Sequence, residues 1–152
     1  IAASVINIFK ETLEQVIFLA VLMPIIASMG GVAATQTLTI TVRGLALGQI
    51  VRANYLYIFN RELLVGISNG FIWAVILSLI ACSWFQDWLL AWVICLSMII
   101  NLVAGVLSGM GIPILLKSLK MDPAVAGSVI VTTVTDVIGF FSFLGLASYF
   151  YS

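Results

Sequence analysis

Four long stretches of this chain, at about 15–42, 63–85, 88–116 and 123 to the C-terminus, are nearly free of charge, and that restricts the chain to very few folds. The first three hold no charged residue, and the fourth holds Asp136 alone. Each exceeds the roughly 20 residues that an α-helix needs to cross the hydrocarbon core of a bilayer. The expected fold class is therefore all-α: a polytopic transmembrane helical bundle of four full spans. Residues 1–9 are also apolar but too short to span, and they read as the tail of an earlier helix. The start at Ile1 reads as the start of a piece cut from a longer protein, and no basic n-region with a cleavage site marks a signal peptide.

Composition agrees with the bilayer as solvent. Of 152 residues, 63% are hydrophobic and 8% charged, and the mean hydropathy is +1.27. Soluble domains carry about 25% charged residues. The net charge is zero and there is no histidine. That excludes an electrostatic nucleic-acid binder, a His/Cys zinc site and any histidine-based triad, so no catalytic residue and no enzyme is expected. Cys82 and Cys95 lie inside apolar runs and read as small buried thiols.

Charge asymmetry sets the expected topology. Arg43, Arg52 and Arg61 fall between the first and second spans, and Lys117 and Lys120 between the third and fourth. Both loops lie on one side, which the positive-inside rule makes cytoplasmic in a multi-pass plasma (inner) membrane protein. The other side carries Lys10, Glu11, Glu14 and Asp87. Trp84, Phe85, Trp88, Trp92, Tyr149 and Tyr151 suit an outer aromatic belt. The connection at Gln86-Asp87 is short enough for an antiparallel hairpin. Asp122-Pro123 reads as an N-cap followed by the first helical residue. Pro24 and Pro113 are expected to interrupt their helices. Gly105, Gly109 and Gly111 form a small-residue face for helix packing. Phe140, Phe141 and Phe143 read as lipid-facing or core residues.

The polar residues inside the spans are few. An ionisable side chain in mid-membrane is costly, by about 3 kcal/mol or more, and marks a functional site by default. Thr132 and Thr133 lie one turn before Asp136, Thr135 is adjacent, and Gly139 opens space one turn on. The packing alternative is an Asp136 held by threonine hydroxyls. Gly30-Gly31, followed by Thr35 and Gln36, is a second polar feature at the same depth. Paired glycines there can open the helix and expose carbonyls, which with a carboxylate suit a hard cation. The alternative is a tight helix crossing. Asn101 is a third polar group at this level, a pore-lining candidate or helix glue, and Asn69 is equally open.

Three segments carry a family resemblance. One is Met23-Pro24, Ala27-Ser28-Met29-Gly30-Gly31, Thr35-Gln36-Thr37-Leu38-Thr39 and Val42-Arg43-Gly44-Leu45-Ala46-Leu47-Gly48. The second is Ile112-Pro113 with Asp122-Pro123-Ala124, and the third runs from Thr132 through Asp136 to Phe141. Together they resemble the pore domain of MgtE-type magnesium channels, over essentially the whole chain. The resemblance implies the last four of five family helices, without the cytoplasmic N-terminal and CBS domains that gate the family's pore. It implies a homodimer with one pore on the two-fold axis. Asp136 then matches the pore carboxylate that binds a largely hydrated Mg²⁺, Ser128 and Thr132 match polar positions facing the ion, and Gly30-Gly31 match a pore-facing break. Where the family pattern reads Gly-Gly-Asn-x-Gly-x-Gln, this chain has Val32 and Ala34 in place of Asn and Gly.

The expected function is thus passive permeation of Mg²⁺, and of other divalent cations, through a pore. A rival is a proton- or sodium-coupled secondary transporter in which Asp136 cycles its proton, though no inverted repeat is evident. A third is a non-conducting membrane scaffold. The expected partners are a second copy of the chain, the lipid bilayer and the cation.

Overall fold

The computed structural model describes residues 1–51 and 53–151, and Arg52, one of the loop arginines above, lies outside them. Among the described residues the chain is helical with no strand: α1 (Ala2–Ile8), α2 (Lys10–Gln15), α3 (Phe18–Ala46), α4 (Tyr55–Phe85), α5 (Trp88–Ser118) and α6 (Pro123–Tyr151). The last four are long and apolar enough to cross a membrane. At 29 to 31 residues each, they are about 44–47 Å long. That exceeds a hydrocarbon core of about 30 Å and leaves room for tilt.

Helix ends follow local chemistry. Gln86 adopts a left-handed conformation (φ 53°) and closes α4 through its N–H to the Cys82 carbonyl. Asp87 then starts α5, its Oδ1 accepting from Leu89 N at 2.8 Å and Leu90 N at 3.3 Å. This is the expected tight hairpin. Asp122 accepts from Ala124 N at 2.8 Å as Pro123 opens α6, also as expected. Gly48 (φ 67°) ends α3, with Gln49 N bonded back to Gly44 O at 2.9 Å.

Two expectations change. Pro24 and Pro113 lie inside continuous helices rather than interrupting them. Each proline removes one donor, but a helix in lipid that opened further would strand more polar groups. The second span also begins earlier than its apolar window, because Arg61 and Glu62 sit on an exposed first part of α4.

The central helix is α5, which packs on α3, α4 and α6. Without a hydrophobic drive between helices in lipid, close backbone approach has to supply the contact. On α4 the approach runs through Gly66, Gly70, Ala74 and Ser78, spaced four apart. A Cβ at Gly70 would already lie 3.2 Å from Leu102. On α5, Gly105 and Gly109 meet α3: a Cβ at Gly105 would lie 2.9 Å from Gly30 O, and one at Gly109 2.6 Å from Ala34 O. Gly111 faces open space and takes no part.

The main apolar cluster joins Leu19, Ile26, Leu90, Ile94, Met98 and Phe143. A smaller one, Ala34, Leu38 and Val131, fills the other half of the α3–α6 seam. Phe143 is core, Phe140 packs against that core, and Phe141 is exposed. Cys82 and Cys95 are free and half-buried, not fully buried, because both border a cleft of about 160 Å³ between α4 and α5. Most of α4 presents large apolar side chains outward, among them Leu64, Phe71, Ile72 and Leu79. Trp84, Trp88, Trp92 and Tyr149 are exposed around one end of the bundle. At the other end Lys117 Nζ reaches Leu45 O at 3.3 Å, so the C-termini of α3 and α5 lie together. The helices α1 and α2 lie along α6, with Phe9 meeting Phe141 edge to face at 5.7 Å.

Candidate cation site

Gly30, Asn101 and Asp136 each sit near the middle of a membrane-length helix, on α3, α5 and α6. The three helices pack together, so the polar residues of the spans converge at one depth. A methyl group added at Gly31 would lie 4.0 Å from Thr135 Oγ1, which fixes α3 and α6 side by side at this level.

Asp136 is half-buried. Its neighbouring threonines do not hold it. Thr132 Oγ1 donates to Ser128 O at 2.8 Å, Thr133 Oγ1 to Val129 O at 2.7 Å, and Thr135 Oγ1 to Val131 O at 3.1 Å. Among the described residues the single ion pair is Lys10–Glu14 at 3.5 Å, on an exposed stretch of α2. Asp136 therefore has neither a basic partner nor a threonine donor, and the packing alternative loses its hydrogen bonds. Ser128 and Thr132 precede Asp136 by two turns and one turn on the same face. Ser128 is exposed and Thr132 half-buried. A hydroxyl that donates to its own helix keeps its lone pairs for an outside donor, such as a water bound to a cation.

The glycine pair behaves differently from the expected break. The helix α3 runs unbroken through Gly30-Gly31. Gly30 is buried where α5 crosses closely, so the tight-crossing alternative describes it. Gly31 is half-buried, and its carbonyl accepts Thr35 Oγ1 at 2.9 Å. Thr35 is half-buried, while Val32 and Gln36 are exposed on the same helix. Ala34 is fully buried beneath Gly109.

Asn101 and Thr135 are fully buried between helices. The Asn101 amide donates to Ile26 O on α3 at 2.8 Å, and its own carbonyl oxygen has no partner. Asn69 is exposed on α4. The sequence reading missed one polar link: Tyr151 donates its hydroxyl to Asp87 Oδ2, joining the end of α6 to the start of α5. In the sequence Gln86-Asp87 marked only a tight connection, and nothing signalled the tyrosine.

Among the described residues no three Asp, Glu, Cys or His side chains cluster as a metal cage. One chain offers a single carboxylate with hydroxyl and carbonyl oxygens, a donor set for a hydrated hard cation and not for a stripped one. The nearest sizeable cleft, about 500 Å³ beside Val137, Phe141 and Ser142, is almost wholly apolar and unsuited to an ion.

Comparison with known proteins bears on this arrangement. Residues 23–146 match the family model described as MgtE, divalent cation transporter. The magnesium transporter MgtE of Bacillus subtilis is 33% identical over 150 residues, which is 99% of this chain and 33% of that protein. Those of Enterococcus faecalis and Thermus thermophilus are each 29% identical, over 97% of this chain and 33% and 32% of theirs. The chain spans about a third of the length of these curated relatives. The match runs through α3 to α6 and includes Gly30, Gly31, Ser128, Thr132 and Asp136. The chain belongs to the MgtE family of divalent cation transporters.

Proposed function

We propose that this chain forms the pore of a passive Mg²⁺ channel, with the ion bound largely hydrated beside Asp136. The observation that carries the reading is the half-buried Asp136 carboxylate at mid-helix, with no basic partner among the described residues and Ser128 and Thr132 on its face. A charge kept at that depth without compensation needs a counter-ion. Magnesium gives up water reluctantly and is held by one or two carboxylates with several waters retained. One carboxylate per chain is half of that set, so the pore lies on a two-fold axis between two copies, with α3 and α6 nearest the axis. The second Asp136 completes the charge, and the oxygens of Ser128, Thr132 and Gly31 accept hydrogen bonds from the water shell. With α3 unbroken, the Gly31 carbonyl serves as an acceptor for that shell rather than as a direct ligand, through the lone pair left free when the Thr35 hydroxyl turns to Val32 O at 3.0 Å. Gln36 and Thr133 border the path, and the Thr35 hydroxyl competes with water for the Gly31 carbonyl.

The test is flux into liposomes carrying the protein, measured for Mg²⁺, Mn²⁺, Co²⁺ and Ca²⁺. Mg²⁺ entry should follow its own electrochemical gradient and ignore imposed pH and sodium gradients. Entry that requires either gradient would assign Asp136 to a coupled transporter instead.

A further inference from the structure

Asn101 is a fully buried polar side chain that binds no ion in the reading above. Its amide nitrogen is bonded to Ile26 O, one turn before Gly30, while its Oδ1 is buried without a partner. The side chain fills the space that two glycines leave. A Cβ at Gly30 would overlap the Asn101 amide from the α3 side, and a Cβ at Gly139 would come within 2.6 Å of its Nδ2 from the α6 side. Gly139 is one turn past Asp136, and Gly30 adjoins Gly31. Asn101 therefore stands where the backbones of α3 and α6 both close on α5, between the larger and the smaller apolar clusters. A leucine of nearly the same shape would satisfy packing alone, as it does throughout α5.

We infer that Asn101 is a positioning residue: wedged between Gly30 and Gly139 and tied to Ile26 O, its amide sets the offset of α3 against α6 and hence the spacing between the Gly31 carbonyl and the Asp136 carboxylate. The inference rests on the pore reading of Asp136. The directional bond matters because an apolar contact lets helices slide, whereas a hydrogen bond to a single main-chain oxygen fixes one register. The orphaned Oδ1 is the cost of that arrangement. A buried acceptor left without a partner costs stability, so its presence calls for a reason other than stability.

The experiment compares Asn101→Leu with Asp136→Ala in liposomes, reading Mg²⁺ half-saturation and the Mg²⁺/Ca²⁺ flux ratio beside thermal stability. Asn101→Leu removes the 2.8 Å bond and the orphaned acceptor together. Replacing both with an apolar group of the same shape is close to neutral for folding. The expected result is an assembled protein whose half-saturation rises and whose flux ratio falls by about tenfold, since misplacing a liganding group by about 1 Å is costly. A structural role alone would move the melting temperature and leave both ion readouts at wild-type values. That outcome, with Asp136→Ala inactive, would overturn the positioning role and spare the pore reading. Wild-type flux from Asp136→Ala would overturn both. Should Asn101→Leu fail to assemble, Asn101→Ser puts a smaller hydroxyl in place of the amide and respects the glycine clearances, and the same two ion readouts decide.

Discussion

The Tyr151 hydroxyl donates to Asp87 Oδ2 while Asp87 Oδ1 caps the first turn of α5. One carboxylate thus secures the start of the central helix and the end of α6. Tyr151→Phe should lower stability by about 1.5 kcal/mol, the usual worth of a hydrogen bond to a charged group. Thermal unfolding in detergent measures it, and Mg²⁺ flux at low temperature should stay at the wild-type level.

Asp136→Ala should cut Mg²⁺ flux by about a hundredfold, the scale of losing a preorganised charge. Stability should not fall, because the carboxylate has no basic partner to lose among the described residues. Asp136→Glu should be intermediate, since one more methylene displaces the carboxylate by about 1.5 Å. Wild-type flux in the alanine variant would remove Asp136 from the ion path.

Val32 and Ala34 replace polar or smaller residues of the family pattern, and the fold separates them. Val32 is 48% exposed beside Gly31, whereas Ala34 is fully buried beneath Gly109. Val32→Asn should raise Mg²⁺ flux or apparent affinity by adding an amide next to the Gly31 carbonyl. Ala34→Gly should instead lower stability by about 1 kcal/mol, the helical cost of glycine, without improving conduction. A fall in flux for a well-assembled Val32→Asn protein would mean that this face of α3 does not line the path.

The glycines of α5 make a matched pair of tests. A methyl at Gly109 meets main-chain atoms of α3, which cannot swing away, so Gly109→Ala should cost about 1–3 kcal/mol. Gly111 faces open space, and Gly111→Ala should gain about 0.5–1 kcal/mol from helix propensity. Equal melting shifts for the two would contradict the α3–α5 crossing.

Orientation is testable at Tyr57, which is 74% exposed near the start of α4. With Cys82 and Cys95 replaced by alanine, Tyr57→Cys should react with a membrane-impermeant thiol reagent only from the cytoplasmic side. Reaction from outside intact cells would invert the topology.

The spans and their hairpin were legible because charge gaps, the short Gln86-Asp87 connection and the cap at Asp122 are local signals. The role of Gly30-Gly31 was not. A glycine pair permits both an opened helix and a close crossing, and the choice is made by Gly105 on another helix. Asn101 was ambiguous for the same reason: whether it faces an ion or a carbonyl depends on Ile26, 75 residues away. Thr132 and Asp136 were readable as one face because both lie on one helix, where spacing fixes the face, whereas Ser128 came in only through the family resemblance. Residues 1–9 hold one short helix, α1, and a second that the sequence did not signal, α2, follows because the chain turns at Phe9 (φ −102°) and helix resumes at Lys10.

The restriction of α4 to a single long neighbour, α5, bears on how the chain is made. As synthesis proceeds, α3 and then α4 enter the bilayer, and these two successive spans meet at Phe18 and Phe85, whose rings lie 5.1 Å apart, without an extended backbone approach. Close packing of α3 in this pair waits for α5, which brings Gly105, Gly109 and the Asn101 amide against it. Order of insertion and order of assembly therefore differ. A ribosome stalled after α4 would leave α3 and α4 tethered by their short loop but loosely packed, and release of α5 would give both a shared partner.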